Sequence, residues 1–182
     1  MIAIILSVQP KWCELIASGK KTVEVRKNSL DTPFKVYIYQ TKTGYVSKSK
    51  ENDILVPIQY GKVIGEFVCD RIYKYTTCDF KDGTDIDDET MTRMSCLSKD
   101  KISDYEISPG RFGVFGWHIS NLKIYDKPKE LSEFHKPCIN PGSKICELCE
   151  FADFGNNDTL FPKCTNVLTR PPQSYCYVEE LN

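Results

Sequence analysis

The sequence has almost no net charge, no long apolar run and no internal repeat. Its 182 residues include 24 Lys and Arg against 25 Asp and Glu, so the formal net charge is -1. A protein that coats long duplex DNA is usually basic, because it must neutralise many phosphates. The charge balance therefore excludes a broad nucleic-acid patch. It leaves room for a local pocket that takes one nucleotide or a short single strand.

No apolar stretch approaches the length of a membrane span. The N-terminal run 2–8 has no basic segment before it and leads directly into Gln9, Pro10 and Lys11. It is too short for a signal peptide or a membrane helix, and its β-branched residues are typical of a strand buried on both faces. We therefore expect a cytoplasmic protein with no membrane partner.

Cysteine is abundant, but its number, nine, is odd and no signal peptide accompanies it. A secreted disulfide scaffold is therefore excluded, and we expect free thiols in a reducing compartment. The Cys-x2-Cys spacing of Cys146 and Cys149 is typical of a turn that presents two thiolates to one zinc ion. Because no second such pair is present, two interpretations stay open: a structural zinc held by Cys138, Cys146, Cys149 and Cys164, or free thiols in a partly buried tail.

Apolar spacing predicts short strands interrupted by short helices, without long βαβ units. The strands are expected at 2–8, 21–27, 34–41, 54–58, 61–75 and 111–124, and the helices at 10–18, from 87–89 onward, and at 99–105. This order favours an α+β fold with a small, strongly bent sheet or barrel. We expect a domain over residues 1–128 and an irregular Cys-rich extension over 129–182 packed on it, in which 170–178 adds an edge strand.

The segment 19–26, Gly-Lys-Lys-Thr-Val-Glu-Val-Arg, has the most informative pattern in the chain. Residues two apart on a strand lie about 6.6 Å apart on one face, so Thr22, Glu24 and Arg26 form a row, with Lys21 at its start. An arginine can hold a phosphate bidentately, and a glutamate can accept from a nucleobase edge or move a proton. The alternative is a solvated strand face with an ordinary Glu–Arg pair.

This segment, together with residues 5–12, 61–67 and 113–119, resembles ASCH-domain proteins. The likeness covers roughly residues 2–125, and Gly-Lys-Lys-Thr-x-Glu-x-Arg is its most specific part. ASCH domains belong to the PUA-like superfamily of small β-barrels associated with RNA. The resemblance implies a PUA-like barrel with short helices on its flank and a cleft between the first helix and the sheet. Lys21, Thr22, Glu24 and Arg26 would line that cleft.

The resemblance implies binding of RNA, a nucleotide or a modified nucleobase in this cleft. Some relatives are enzymes: one branch resembles an amidohydrolase acting on acetylated cytidine, and another is a metal-dependent ribonuclease. Two hypotheses follow. The protein is a binding module, or it is a hydrolase in which Lys21 and Glu24 move protons and Arg26 holds phosphate, with a divalent metal if it cleaves RNA. The amidohydrolase branch has a threonine where this chain has Glu24, which argues against deacetylation.

Four further residues are candidate ligand contacts. Trp12, at the start of the first helix, can stack on a base or belong to the core. Glu66 is polar within an apolar strand, so it faces the cleft or pairs with a lysine or arginine. Lys20 belongs to the signature segment, and Trp117 alternates with His118 along a strand, so the two face opposite sides. No pattern in the sequence indicates an oligomeric state.

Overall fold

A computed structural model describes residues 2–42, 60–78, 83–106, 113–138, 152–153, 163–164 and 166–181. Within these ranges the chain forms ten strands, three α-helices and one 3-10 turn at Leu131–Glu133. In order they are β1 (Ile2–Val8), α1 (Pro10–Ala17), β2 (Val23–Arg26), β3 (Phe34–Gln40), β4 (Lys62–Cys69), β5 (Ile72–Tyr75), α2 (Asp88–Ser95), α3 (Lys99–Glu106), β6 (Val114–His118), β7 (Ser120–Lys129), β8 (Ala152–Asp153), β9 (Lys163–Cys164) and β10 (Tyr175–Val178). The fold is α+β, as predicted. None of the described helices is long and apolar enough to cross a membrane.

The larger sheet has five strands in the order β10-β1-β3-β4-β7. Strand β1 runs parallel to β3, and the other pairs are antiparallel. Ile4 and Leu6 of β1 enter one apolar cluster, whereas Ala3 and Ile5 enter a second cluster on the opposite face. This arrangement confirms the prediction that β1 is buried on both faces, and it explains the uninterrupted apolar run in the sequence.

The smaller sheet has three strands in the order β2-β6-β5, and it packs against α2 through a third apolar cluster. Gly116 lies in this contact, because a Cβ atom there would come within 2.8 Å of Val23 Cγ1 and 3.0 Å of Met91 Cε. Residue 116 therefore has to stay small if α2 is to cover the sheet.

The described strands form two separate sheets, and no closed barrel is found among them. The chain passes between the sheets at sharp corners, one at Asp70 and Arg71 between β4 and β5, and one between β6 and β7. At the second corner only Ile119 separates the two strands, and Asn121, the second residue of β7, has a φ of 49°. The break at Ile119 divides the strand predicted over 111–124 into β6 and β7, which belong to different sheets, so the prediction of one continuous strand there was wrong.

Helix α2 begins where predicted, and α3 begins at its predicted first residue and ends one residue beyond its predicted end. The Asp87 side chain caps α2 by accepting from the Thr90 N–H at 2.8 Å. Helix α3 is anchored at its last residue, Glu106, which is buried and accepts from the Thr77 N–H at 2.9 Å and from the Thr76 hydroxyl. Burial raises the pKa of Glu106, but these hydrogen bonds together lower it by more than burial raises it, so the pKa lies below its ordinary value. The anchor fixes the face of α3 that borders the candidate site.

The C-terminal segment is part of the main sheet. Strand β10 pairs with β1 at the sheet edge, which confirms the predicted edge strand. The Leu181 N–H also donates to the Tyr37 hydroxyl at 2.8 Å. Strand β7 continues through Lys129, so the domain boundary expected after residue 128 falls inside a strand. The strand predicted at 54–58 lies outside the described residues.

Candidate functional site

A tight reversal after α1 brings the signature segment to the sheet. Gly19 has a φ of 72°, a left-handed conformation that glycine adopts without strain and that commonly ends a helix. The Lys21 N–H then donates to the Leu15 carbonyl at 2.9 Å, which folds the chain back along the helix just before β2 begins. Lys21 is therefore held between α1, β2 and the end of α2.

Three charged side chains of this segment form a buried cluster, here called the Lys21–Glu24–Arg26 cluster. The Lys21 ammonium is 3.2 Å from Glu24 Oε2, and the Arg26 guanidinium is 2.8 Å from Glu24 Oε1. Exposed fractions of the side chains are 2% for Lys21, 9% for Glu24 and 12% for Arg26. One carboxylate thus serves two buried cations, and each of its oxygens has a partner.

A backbone carbonyl gives each cation a further acceptor. Lys21 donates to the Ser95 carbonyl at 2.7 Å, and Arg26 donates to the Ser7 carbonyl at 3.0 Å. Arg26 also reaches the Ser174 hydroxyl at 3.4 Å, just before β10. The cluster therefore connects β1, β2, α2 and the C-terminal segment, which makes its geometry dependent on the whole fold.

The cluster borders a cavity of about 460 Å³. The cavity lies between the end of β1, helix α1, strand β2, helix α3 and the C-terminal segment. Its described lining residues are Ser7, Val8, Gln9, Trp12, Lys21, Glu24, Val25, Arg26, Thr41, Lys42, Leu97, Lys101, Tyr105 and Gln173. Four of these are cationic and one is acidic, so the described lining carries a net charge of +3.

Within the part of the chain that the structure describes, two lining residues have a buried polar atom without a hydrogen-bond partner. They are Arg26, at Nε, and Thr41, at Oγ1. An unsatisfied buried polar group costs about 1–3 kcal/mol, and such exceptions in native proteins call for a specific explanation. Both residues border the same cavity. Unpaired polar atoms are expected at functional sites, where the requirements of function override local stability.

The aromatic ring of Trp12 lies beside two cations. The Lys11 ammonium is 4.5 Å from the ring centroid and the Lys21 ammonium is 5.3 Å from it. One side of Trp12 packs on the larger core cluster, while the residue as a whole stays partly exposed. Tyr105, 37% exposed on α3, supplies a second ring to the cavity.

Four residues named by the sequence prediction do not border the cavity. Thr22 is tied by its backbone, since its N–H donates to Met94 O and its carbonyl accepts from the Ile119 N–H, both at 2.9 Å. It precedes β2, so the alternation that places Glu24 and Arg26 on one face does not extend back to it. Lys20 is exposed on the turn outside the cavity.

The other two, Trp117 and Glu66, lie elsewhere in the fold. Trp117 is fully buried, with its indole N–H donating to the Asn28 carbonyl at 3.0 Å and its ring edge-to-face with Phe34. It is a core residue, because strand β6 turns this face inward. Glu66, on β4 of the larger sheet, accepts from the hydroxyl of Tyr125 on β7 at 2.5 Å. Its carboxylate also lies 3.8 Å from the ammonium of Lys35 on β3.

The sequence prediction missed several lining residues. Lys101 and Tyr105 are four apart on α3 and therefore share a helix face, a signal that the sequence contains. Gln173 comes from the segment before β10. Nothing local to these residues indicates a shared site, because their approach to β2 depends on tertiary packing.

The zinc prediction falls largely outside the described residues. Cys146 and Cys149 are not described, and of Cys164 only the backbone is. Cys138 is exposed, and its N–H donates to Glu179 at 3.2 Å. Over the described ranges, no group of three or more His, Cys, Asp or Glu side chains is arranged to hold a metal. The four-cysteine zinc site stays a prediction.

Residues 6–102 match the family model described as the ASCH domain. The chain belongs to the ASCH domain family. The domain has a PUA-like fold, which is often linked to RNA binding. No curated protein matches the sequence.

Solved structures of similar fold include an ASCH protein from Zymomonas mobilis. It is 18% identical to this chain, with a TM-score of 0.54, and the match covers 98% of this chain and 88% of that protein. A tyrosine-to-phenylalanine point mutant of the Zymomonas protein is also 18% identical, with a TM-score of 0.53 and coverage of 98% and 91%. At this identity the likeness concerns the fold, and it extends beyond the family-model region to nearly the whole chain.

Proposed function

We propose that this ASCH domain binds RNA or a nucleotide, with the nucleobase inside the cavity beside the Lys21–Glu24–Arg26 cluster. One observation carries the proposal: a single cavity combines two aromatic rings on separate helices with a lining of net positive charge. Aromatic faces stack on bases, and cationic side chains attract the phosphates attached to them. The volume of about 460 Å³ lies within the range of small-ligand sites.

The near-zero charge of the whole chain is consistent with this proposal. The described cavity lining has four cations and one carboxylate, whereas the whole chain has 24 basic and 25 acidic residues. Binding would therefore involve a few nucleotides at most, and would not require a basic surface along an extended strand. This favours a single-stranded segment or a free nucleotide over a duplex.

Removing the Tyr105 ring tests the proposal with a matched control. We expect Tyr105→Ala to weaken binding of a labelled single-stranded RNA at least about fivefold, because stacking contributes roughly 1–3 kcal/mol per base. Tyr177→Ala removes a similarly exposed ring, 45% exposed on β10 and not on the cavity, and should leave affinity unchanged. Fluorescence anisotropy measures both. Equal affinities for the two variants, or no RNA binding by the unmodified protein, would contradict the proposal.

A second candidate function is hydrolysis in the same cavity. The Lys21 ammonium and the Glu24 carboxylate are 3.2 Å apart, within reach for proton exchange between an acid and a base. The hydrolase candidate is a ribonuclease on single-stranded RNA, with a divalent metal, or an amidohydrolase on a modified nucleoside. Both side chains are nearly buried, so little bulk water reaches the contact between them.

Turnover separates the two candidates. Labelled single-stranded RNA is incubated with the protein, with and without Mn²⁺ or Mg²⁺, beside Glu24→Gln, and acetylated cytidine is tested in parallel. Product formed by the unmodified protein and lost in a Glu24→Gln protein that circular dichroism shows to be folded would establish the hydrolase. RNA retained intact by both proteins would leave the binding module as the function.

A further inference from the structure

The cations that line the cavity fall into two groups. Lys21 and Arg26 form the inner group: both are nearly buried, both contact Glu24, and both donate to backbone carbonyls. Their charge is partly neutralised by the shared carboxylate. A phosphate placed against Arg26 would also lie close to Glu24, whose negative charge repels it.

Lys42 and Lys101 form the outer group, here called the rim lysines. Lys42 follows β3 and Lys101 is on α3, so they approach the cavity from two different elements. Both are exposed, and no ion pair between described residues involves either ammonium. Their charges are therefore available to an anion, whereas the inner charges are already engaged.

The difference between the inner and outer cations determines how a bound nucleotide is oriented. The rings of Trp12 and Tyr105 and the uncharged Gln173 amide also line the cavity, and they suit a base that is flat and polar at its edge. An anionic group is best placed where cations lack partners and where desolvation is small, which is the rim.

We propose that the rim lysines form a phosphate subsite, and that the preferred ligand is a nucleoside carrying a terminal phosphate, bound with the base inward and the phosphate outward. This inference rests on the proposed function. It replaces the sequence-based expectation that Arg26 holds phosphate. The same chemistry is presented by a free nucleoside monophosphate and by a phosphorylated end of an RNA strand.

Affinity for nucleosides and their phosphates tests the subsite. The four common ribonucleosides and their 5′-monophosphates are titrated by calorimetry into the unmodified protein, into a Lys42→Ala, Lys101→Ala double variant, and into a Lys123→Ala, Lys127→Ala double variant. The control pair is exposed on β7, away from the cavity, and changes the net charge equally. Two exposed charge pairs, each contributing up to about 1 kcal/mol, should make a monophosphate bind about tenfold tighter than its nucleoside. The rim variant should lose that ratio and the control should keep it.

The outcomes test the phosphate subsite separately from the proposed function on which it rests. If nucleosides bind but a phosphate adds nothing, or if the rim variant keeps the ratio, the phosphate subsite is wrong while base binding stands. If neither nucleosides nor monophosphates bind, and single-stranded RNA does not bind either, the proposed function fails as well. Comparing a short RNA with a 5′-phosphate and the same RNA with a 5′-hydroxyl distinguishes a strand end from a free nucleotide as the preferred source.

Discussion

Replacing Glu24 with alanine is expected to lower the free energy of unfolding by about 3–5 kcal/mol. The carboxylate is the shared partner of Lys21 and Arg26, whose side chains are 2% and 12% exposed. Removing one member of a buried charge cluster leaves uncompensated charges in a poorly solvated place, which costs more than the pair itself contributes. For a chain of this length, the loss corresponds to a decrease in Tm of roughly 10 °C.

Thermal and urea denaturation measure this effect, and two further variants isolate its cause. Glu89→Ala removes an exposed carboxylate from the first turn of α2 and should cost less than about 1 kcal/mol. Glu24→Ala leaves the Lys21 and Arg26 cations without their carboxylate partner. A Lys21→Met, Glu24→Ala double variant also removes the Lys21 charge, so it should be more stable than Glu24→Ala alone. If Glu24→Ala unfolds no more easily than Glu89→Ala, the cluster does not connect the elements around the cavity as argued.

Trp12→Leu is expected to weaken RNA binding by roughly 10- to 100-fold. Leucine keeps an apolar side chain against the core cluster but removes the aromatic face, and stacking contributes roughly 1–3 kcal/mol per base. Lys11 is exposed, so its ammonium can turn aside and leave a ring face to a base. Trp12→Phe retains an aromatic face and should keep most of the affinity.

Anisotropy titrations of the two Trp12 variants provide the comparison, with circular dichroism to verify that both are folded. A simple packing role for Trp12 predicts that leucine and phenylalanine are tolerated equally, because each fills similar space. Equal RNA affinities for the two variants would therefore contradict stacking and show that Trp12 serves only to pack against the core.

The sequence predicted the parts of this molecule that depend on local periodicity. Strands repeat every two residues, so the spacing of Glu24 and Arg26 placed them on one face. The apolar run of β1 predicted burial on both faces for a similar reason. The cap at Asp87 and the edge strand β10 also follow from short sequence signals.

The remaining features depend on contacts between distant segments. Lys21 and the Ser95 carbonyl are 74 residues apart, and Arg26 and Ser174 are 148 apart. No local pattern specifies such contacts, which is why Lys101, Tyr105 and Gln173 were missed. Alternation showed that Trp117 and His118 face opposite sides, but it could not show which side is the core.

The expected closed barrel is not found among the described strands, for a related reason. Strand periodicity reports which face is buried, not where the chain turns a corner, and the break at Ile119 moves the chain from the smaller sheet to the larger one. A break of one residue, here an isoleucine, leaves no trace in the apolar pattern.

Tryptophan fluorescence during titration with single-stranded RNA tests the central claim most directly. The chain has two tryptophans: Trp12 lines the cavity, and Trp117 is fully buried. A base bound in the cavity should change the emission of Trp12 in a saturable way, with the same midpoint as anisotropy, and Trp12→Phe should abolish the change while still binding RNA. RNA that binds by anisotropy without altering the emission of the unmodified protein would show that the cavity is not the site.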